Sequence, residues 1–95
     1  MPYLTIRHKV ANYAKWKRLV TGLKAWRKAA GEKSFYVLRS AKNPNDLTIC
    51  CCWDSSARMQ KFMKSPELRK RMQEAGVVGK PEVSFFSKMD DLTVG

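Results

Sequence analysis

Polar and apolar residues alternate along the first ten positions of the chain. Leu4, Ile6, His8 and Val10 fall on one side, and the residues between them are polar or aromatic. Because successive side chains of a strand point to opposite faces, the alternation predicts a strand over Tyr3–Val10 with one apolar face.

The next segment changes to a period of three to four residues. Its apolar positions are Tyr13, Trp16, Leu19, Val20, Leu23, Trp26 and Ala30. This spacing predicts a single amphipathic helix over Tyr13–Ala30, capped by Asn12 and ended by Gly31.

Two segments rich in β-forming residues follow the helix. They are Ser34–Arg39 and Leu47–Trp53, separated by the turn-forming residues 42–46. The economical interpretation is an antiparallel hairpin.

A second helical region and a last strand complete the pattern. Asp54-Ser55-Ser56 predicts a helix start, and Ser65-Pro66-Glu67 predicts a second one because Ser favours the N-cap and Pro the first turn. Residues 77–81 (VVGKP) are predicted to form a loop, and Glu82–Met89 a closing strand.

The predicted element order is strand, helix, strand, strand, helix, strand. With right-handed crossovers this order predicts a single α+β domain over residues 1–95, with the ferredoxin-like βαββαβ arrangement: a four-stranded antiparallel sheet with both helices on one face. The opposite sheet face is expected to carry Tyr3, Thr5, Arg7, Lys9, Tyr36, Leu38, Cys50, Cys52, Phe86 and Lys88. A face this apolar should be covered, either by a second copy or by a ligand.

Composition narrows the class of protein. The 95 residues carry 19 Lys and Arg against 8 Asp and Glu, a formal charge of +11. No apolar run is long enough for a membrane span, and the N-terminus lacks the layout of a signal peptide, so a cytoplasmic protein without a membrane partner is expected. The consecutive Cys50–Cys52 fit neither a disulfide framework nor a zinc spacing and are interpreted as reduced apolar residues.

The charge raises the alternative of nucleic-acid binding. A four-stranded sheet with exposed aromatic residues is also the architecture of RNA-recognition domains. However, the strand at 47–53 has none of their Lys/Arg-Gly-aromatic signature, and the basic residues are dispersed along the chain. The pattern favours a solvated basic surface over nucleic-acid recognition.

Several short motifs resemble a known family. They are Arg7-His8-Lys9-Val10, Tyr13-Ala14-Lys15-Trp16, Trp53-Asp54-Ser55-Ser56-Ala57, Phe62-Met63-Lys64-Ser65-Pro66-Glu67-Leu68, Met72-Gln73-Glu74-Ala75-Gly76-Val77 and Pro81-Glu82-Val83. Together they resemble the antibiotic biosynthesis monooxygenase-like family of the dimeric α/β-barrel superfamily, over nearly the whole chain.

The resemblance implies a homodimeric α/β barrel formed by two sheets, with a pocket between sheet and helices in each subunit. Members include cofactor-independent oxygenases that act on polycyclic aromatic or quinol-like compounds, haem-degrading enzymes and proteins without known activity. The haem-degrading members use an Asn, a Trp and a His, whereas this chain has Phe62 and Met72 at the Trp and His positions. The first strand offers Ile6 and His8 but no Asn, so haem degradation is disfavoured. The sequence has no Gly-rich phosphate loop and no His-rich metal spacing, and no cofactor is expected.

These considerations yield a candidate site for a small hydrophobic or aromatic ligand. His8 is the candidate catalytic residue, as a donor or base toward a phenol or enol. The candidate pocket residues are Ile6, Trp16, Phe35, Arg39, Trp53, Met59, Phe62, Met63 and Met72, and no metal site is expected. Two alternatives stay open: the same residues serve only as core, or the pocket belongs to a non-catalytic carrier or sensor.

Overall fold

The structure, a computed structural model, describes residues 1–94. The strands are β1 (Pro2–Val10), β2 (Glu32–Arg39), β3 (Asp46–Trp53) and β4 (Val77–Ser87). The helices are α1 (Tyr13–Gly22), α2 (Lys24–Ala30), α3 (Ser56–Met63) and α4 (Pro66–Glu74). The strands form one antiparallel sheet in the order β2-β3-β1-β4, which confirms the predicted ferredoxin-like α+β fold.

Strand register separates the two faces of the sheet as the alternation predicts. Ile6 lies opposite Ile49, which in turn lies opposite Val37, and these side chains belong to the helix-covered core. On the other face Thr5 lies opposite Cys50, and Cys50 opposite Tyr36. The largest fully buried side chains, Trp53, Leu4, Leu47, Ile49 and Met59, all belong to the core between sheet and helices.

The predicted single helix over Tyr13–Ala30 is divided into α1 and α2. Asn12 caps α1 as expected, because its side chain accepts a hydrogen bond from the Lys15 amide at 3.0 Å. The helix is interrupted at Leu23, directly after Val20-Thr21-Gly22, whose β-branched residues and glycine are weak helix formers. Trp16 and Trp26, which lie on either side of the interruption, both pack on the core.

The prediction of a loop at residues 77–81 is wrong, because these residues form the first part of β4. Val77 pairs with Val10 and Val78 with Lys9, after which the register shifts between Arg7 and Lys9. Gly79 has a φ of +74°, the left-handed conformation typical of a β-bulge. A glycine and a proline that suggest a loop in the sequence therefore mark a bulge inside a strand.

Replacing Gly31 with alanine is expected to lower the free energy of unfolding by about 1–3 kcal/mol. Gly31 has a φ of +121° and is buried against Asp54, whose side chain occupies the space that a Cβ atom needs. Gly22→Ala is the matched control. No atom lies within 4 Å of a Cβ placed there, so stability should stay constant or rise by up to about 1 kcal/mol. Urea denaturation of both variants measures the difference, and equal stabilities would contradict the assigned conformation of Gly31.

Candidate functional site

An apolar cavity lies between the sheet and the helices. Its volume is about 70 Å³, counted as the space that the centre of a water molecule can reach. All strands except β4 and all four helices contribute to its lining, which includes Leu4, Ile6, Trp16, Trp26, Phe35, Ile49, Phe62, Met63, Leu68 and Met72. Such a space is smaller than a typical ligand pocket of about 300–1,000 Å³. Met63 and Met72 are flexible side chains that can move to admit a flat ring.

His8 provides the most reactive group of this lining. It is 6% exposed, and neither ring nitrogen has a hydrogen-bond partner among residues 1–94. The imidazole packs edge-on against Trp16, with ring centroids 5.7 Å apart. Burial lowers the pKa of His8 from its ordinary value of 6.5, against a weaker opposing effect of Asp46. His8 is therefore neutral at pH 7 and able to accept a proton from a ligand.

A buried ion pair forms another part of the cavity wall. The Arg27 guanidinium donates to a Glu32 carboxylate oxygen at 2.5 Å and to the Val20 carbonyl at 3.2 Å. The guanidinium carbon also lies 4.2 Å from the centre of the Phe35 ring. Burial raises the pKa of Glu32 despite the adjacent Arg27. Arg27 Nε is buried without a hydrogen-bond partner in the described chain, which leaves one donor free.

The ion pair and His8 lie toward different ends of the cavity. Glu32 is opposite Trp53 in the sheet, whereas His8 is opposite Leu47, six residues away on β3. At about 3.3 Å per residue the two positions are separated by roughly 20 Å along the strand. A small ligand can contact one end or the other, and an extended ligand is needed to reach both.

Most of the residues proposed from the sequence meet in this cavity. Seven of them line it: Ile6, His8, Trp16, Phe35, Phe62, Met63 and Met72. Trp53 and Met59 are fully buried in the core but are not part of the lining. Arg39 also lies outside it, with its guanidinium 4.3 Å from the Tyr13 ring centre.

Arg27 and Glu32 are charged residues of the cavity wall that sequence reasoning missed. Glu32 is the first acidic residue of the chain, after eight Lys and Arg, and it directly follows the helix-ending Gly31. An isolated acid at the start of an apolar strand is a signal for a buried pair, but nothing in the sequence identifies Arg27 as its partner among the neighbouring cations. The pairing of Arg27 with Glu32 depends on the position of α2, the helix that carries Arg27 and begins after the interruption at Leu23.

Among residues 1–94, no metal-binding group or membrane-spanning helix is present, and the cavity cysteine adds no reactive group to the site. Within residues 1–94 no group of three or more His, Cys, Asp or Glu side chains could hold a metal ion. Among the same residues, no helix is long and apolar enough to cross a membrane. Cys51 lines the cavity, but burial raises the pKa of its thiol, so it remains protonated.

The buried His8 should make folding stability depend on pH. Because its pKa in the folded chain is lowered below 6.5, the unfolded chain takes up the proton first. Its contribution to stability is complete above pH 6.5 and is lost as the pH falls toward its folded pKa. We expect the free energy of unfolding to fall less steeply with acidification in His8→Leu than in the unmodified chain. Urea titrations between about pH 5 and 7 test this, and parallel pH profiles would contradict it.

Comparison with known proteins defines the class to which this architecture belongs. No protein-family model and no curated protein sequence matches the chain. Solved structures, in contrast, match over nearly its whole length, and several are named antibiotic biosynthesis monooxygenases. The chain therefore has the fold of the antibiotic biosynthesis monooxygenases, as the sequence motifs predict.

Three of these structures show the extent of the likeness. SnoaB, a cofactor-independent oxygenase from Streptomyces nogalater, has a TM-score of 0.76 and 15% identity, covering 96% of this chain and 95% of its own. A provisionally named antibiotic biosynthesis monooxygenase from Bordetella bronchiseptica has a TM-score of 0.76 and 17% identity, covering 93% and 96%. Another from Deinococcus radiodurans has a TM-score of 0.71 and 14% identity, covering 100% and 99%. At these identities the likeness concerns the fold.

Proposed function

We propose that the chain is a cofactor-independent monooxygenase that acts on a flat aromatic or quinol-like compound held in the cavity between sheet and helices. The observation that carries this proposal is His8, a buried neutral imidazole with two unpartnered nitrogens in a mostly apolar lining. An aromatic ring suits that lining, and a phenolic hydroxyl suits the imidazole. The likeness to a cofactor-independent oxygenase supports the same reaction class.

The chemistry requires a base and dioxygen. His8 takes the phenolic proton, and the electron-rich anion then reacts with O2, which supplies both the inserted atom and the oxidising equivalents. For a hydroquinone, one oxygen atom enters the ring as a hydroxyl and the second leaves as water with two hydrogens, giving a hydroxyquinone. The apolar walls exclude bulk water from the reactive anion.

Binding and turnover together test this function. A flat phenol or quinol should raise the melting temperature of the protein, because a ligand that binds only the folded state stabilises it. Oxygen uptake with a hydroquinone then tests catalysis. Binding without oxygen uptake would identify a non-catalytic carrier or sensor, the second candidate function. A diverse aromatic panel that produces no shift at high concentration would remove both functions.

We also propose that the partner is a second copy, joined through the open face of the sheet. This face exposes Tyr36 by 65%, Leu38 by 57% and Phe86 by 52%, all on the side away from the helices. A sheet-to-sheet contact would bury these side chains and close a barrel. The three cysteines are free thiols, which suits a reducing compartment such as the cytoplasm.

Leu38→Glu is expected to raise the dissociation constant of this dimer by at least about 30-fold, the effect of losing one interfacial hot spot of about 2 kcal/mol. In a symmetric contact the introduced charge is present on both copies. Ala14→Glu, on the exposed side of α1, is the control and should leave the dimer intact. Sedimentation equilibrium measures both variants. A monomeric unmodified protein, or equal dissociation constants for the two variants, would contradict the proposed interface.

A further inference from the structure

A basic hollow lies on the surface directly outside the Arg27–Glu32 pair. It has a volume of about 460 Å³ and is lined by Lys24, Lys28, Lys33 and Ser34 together with Arg27, Glu32 and Phe35. The three lysines are exposed. With Glu32 as the only acid of the lining, four cations face one carboxylate, so the hollow attracts anions.

The hollow and the inner cavity share one wall. Arg27, Glu32 and Phe35 line both spaces, so a single layer of side chains separates them. Most of the surface that lines the cavity is apolar, whereas the hollow is basic. A molecule that occupied both spaces would therefore need an aromatic part inside and an anionic part outside.

The shared wall can open for such a molecule if Arg27 exchanges Glu32 for a carboxylate of the ligand. Arg27 is already held by a carboxylate, that of Glu32, and a carboxylate on a ligand presents the same group in its place. Arg27 Nε is an additional buried donor without a partner in the described residues. Burial also raises the pKa of Glu32, which makes its protonation easier when its partner is withdrawn.

A second hollow of the surface offers a less suitable route. It lies between α2 and α3 and is separated from the cavity by Trp26 and Phe62. The Phe62 ring packs against Trp26 at 4.8 Å and against Trp53 at 5.0 Å between centroids. Opening this wall would disrupt the aromatic core, whereas opening the Arg27–Glu32 wall exchanges one carboxylate for another.

From this arrangement we propose that the cavity takes an aromatic carboxylate, which enters by displacing Glu32 from Arg27 and keeps its carboxylate in the basic hollow. The inference rests on the proposed function, because it names the substrate class of the same cavity. In this arrangement Arg27 binds the carboxylate of the ligand, and the apolar interior of the cavity holds its aromatic ring.

A pair of probes with the same ring system tests the proposal. We expect 2-naphthoate to bind the unmodified protein at low ionic strength about tenfold more tightly than neutral 2-naphthamide. In a triple Lys24→Gln, Lys28→Gln, Lys33→Gln variant this preference should fall severalfold but not vanish, because Arg27 is still present to pair with the carboxylate, and the affinity for the amide should be retained. A control with the same loss of charge, Lys61→Gln, Lys64→Gln, Lys70→Gln, alters the second hollow and α4 and should keep the preference.

Isothermal titration calorimetry measures the affinity of each probe for each protein, and each outcome is decisive. Equal affinities for the two probes in the unmodified protein would overturn the carboxylate assignment and leave the proposed cavity function standing. An unchanged preference in the first variant, or an equal loss in the control variant, would overturn the placement of the carboxylate in the basic hollow. Failure of both probes to bind would overturn this inference alone, because the proposed function is tested separately by a quinol at the His8 end of the cavity.

Discussion

His8→Gln is expected to lower the rate of oxygen uptake with a bound hydroquinone by roughly 10²–10⁴-fold, the usual contribution of a general base. Glutamine retains a polar side chain of similar length but has no nitrogen that accepts a proton. Because the pKa of His8 is lowered from 6.5, the unmodified protein should keep its full rate at pH 7 and lose it only on acidification below 6.5.

The measurement separates catalysis from binding. The hydroquinone dissociation constant of His8→Gln should change much less than the rate, since the apolar lining is unaltered. Lys42→Gln, in the exposed turn between β2 and β3, controls for the loss of one titratable group and should retain full turnover. Full turnover in His8→Gln would remove His8 from any catalytic role.

Arg27→Leu is expected to lower the free energy of unfolding by up to about 3–5 kcal/mol. The side chains of Arg27 and Glu32 are only 13% and 9% exposed, so removing the cation leaves a carboxylate buried without its partner. The variant also loses the hydrogen bond to the Val20 carbonyl and the contact with the Phe35 ring. Urea denaturation near neutral pH measures the loss.

A double variant shows whether the pair itself is responsible. Arg27→Leu with Glu32→Leu removes both charges together and should recover much of the stability lost in Arg27→Leu. Additive losses from the two substitutions would show that the charges are not coupled. The pair would then be excluded as a closed gate.

Much of the fold could be predicted because local periodicity and burial agree along most of the chain. The alternation of β1 correctly places His8 on the helix-covered face, and the Asn12 cap lies where the pattern indicates. The two errors, the continuous helix and the loop at 77–81, have a common cause. Gly22 ends one helix just before another begins, whereas Gly79 forms a bulge inside a continuous strand, and only tertiary packing decides which occurs.

The site was predictable only as far as it follows from these patterns. His8, Trp16 and Phe62 share the core-facing stripes of their elements and consequently meet at the cavity. Arg39 lies on the same side of β2 as Phe35 but is the last residue of that strand, where its guanidinium lies over Tyr13. Arg27 and Glu32 escaped prediction because charged residues normally lie in solvent, and their burial depends on long-range packing.

NMR of the only histidine in the chain tests the claim that the cavity beside His8 is the ligand site. Both ring nitrogens of His8 should shift on titration with a flat quinol and saturate at the same dissociation constant that calorimetry gives. Saturable binding that leaves the His8 resonances unchanged while shifting those of Tyr36 and Cys50, on the opposite face of the sheet, would contradict the claim.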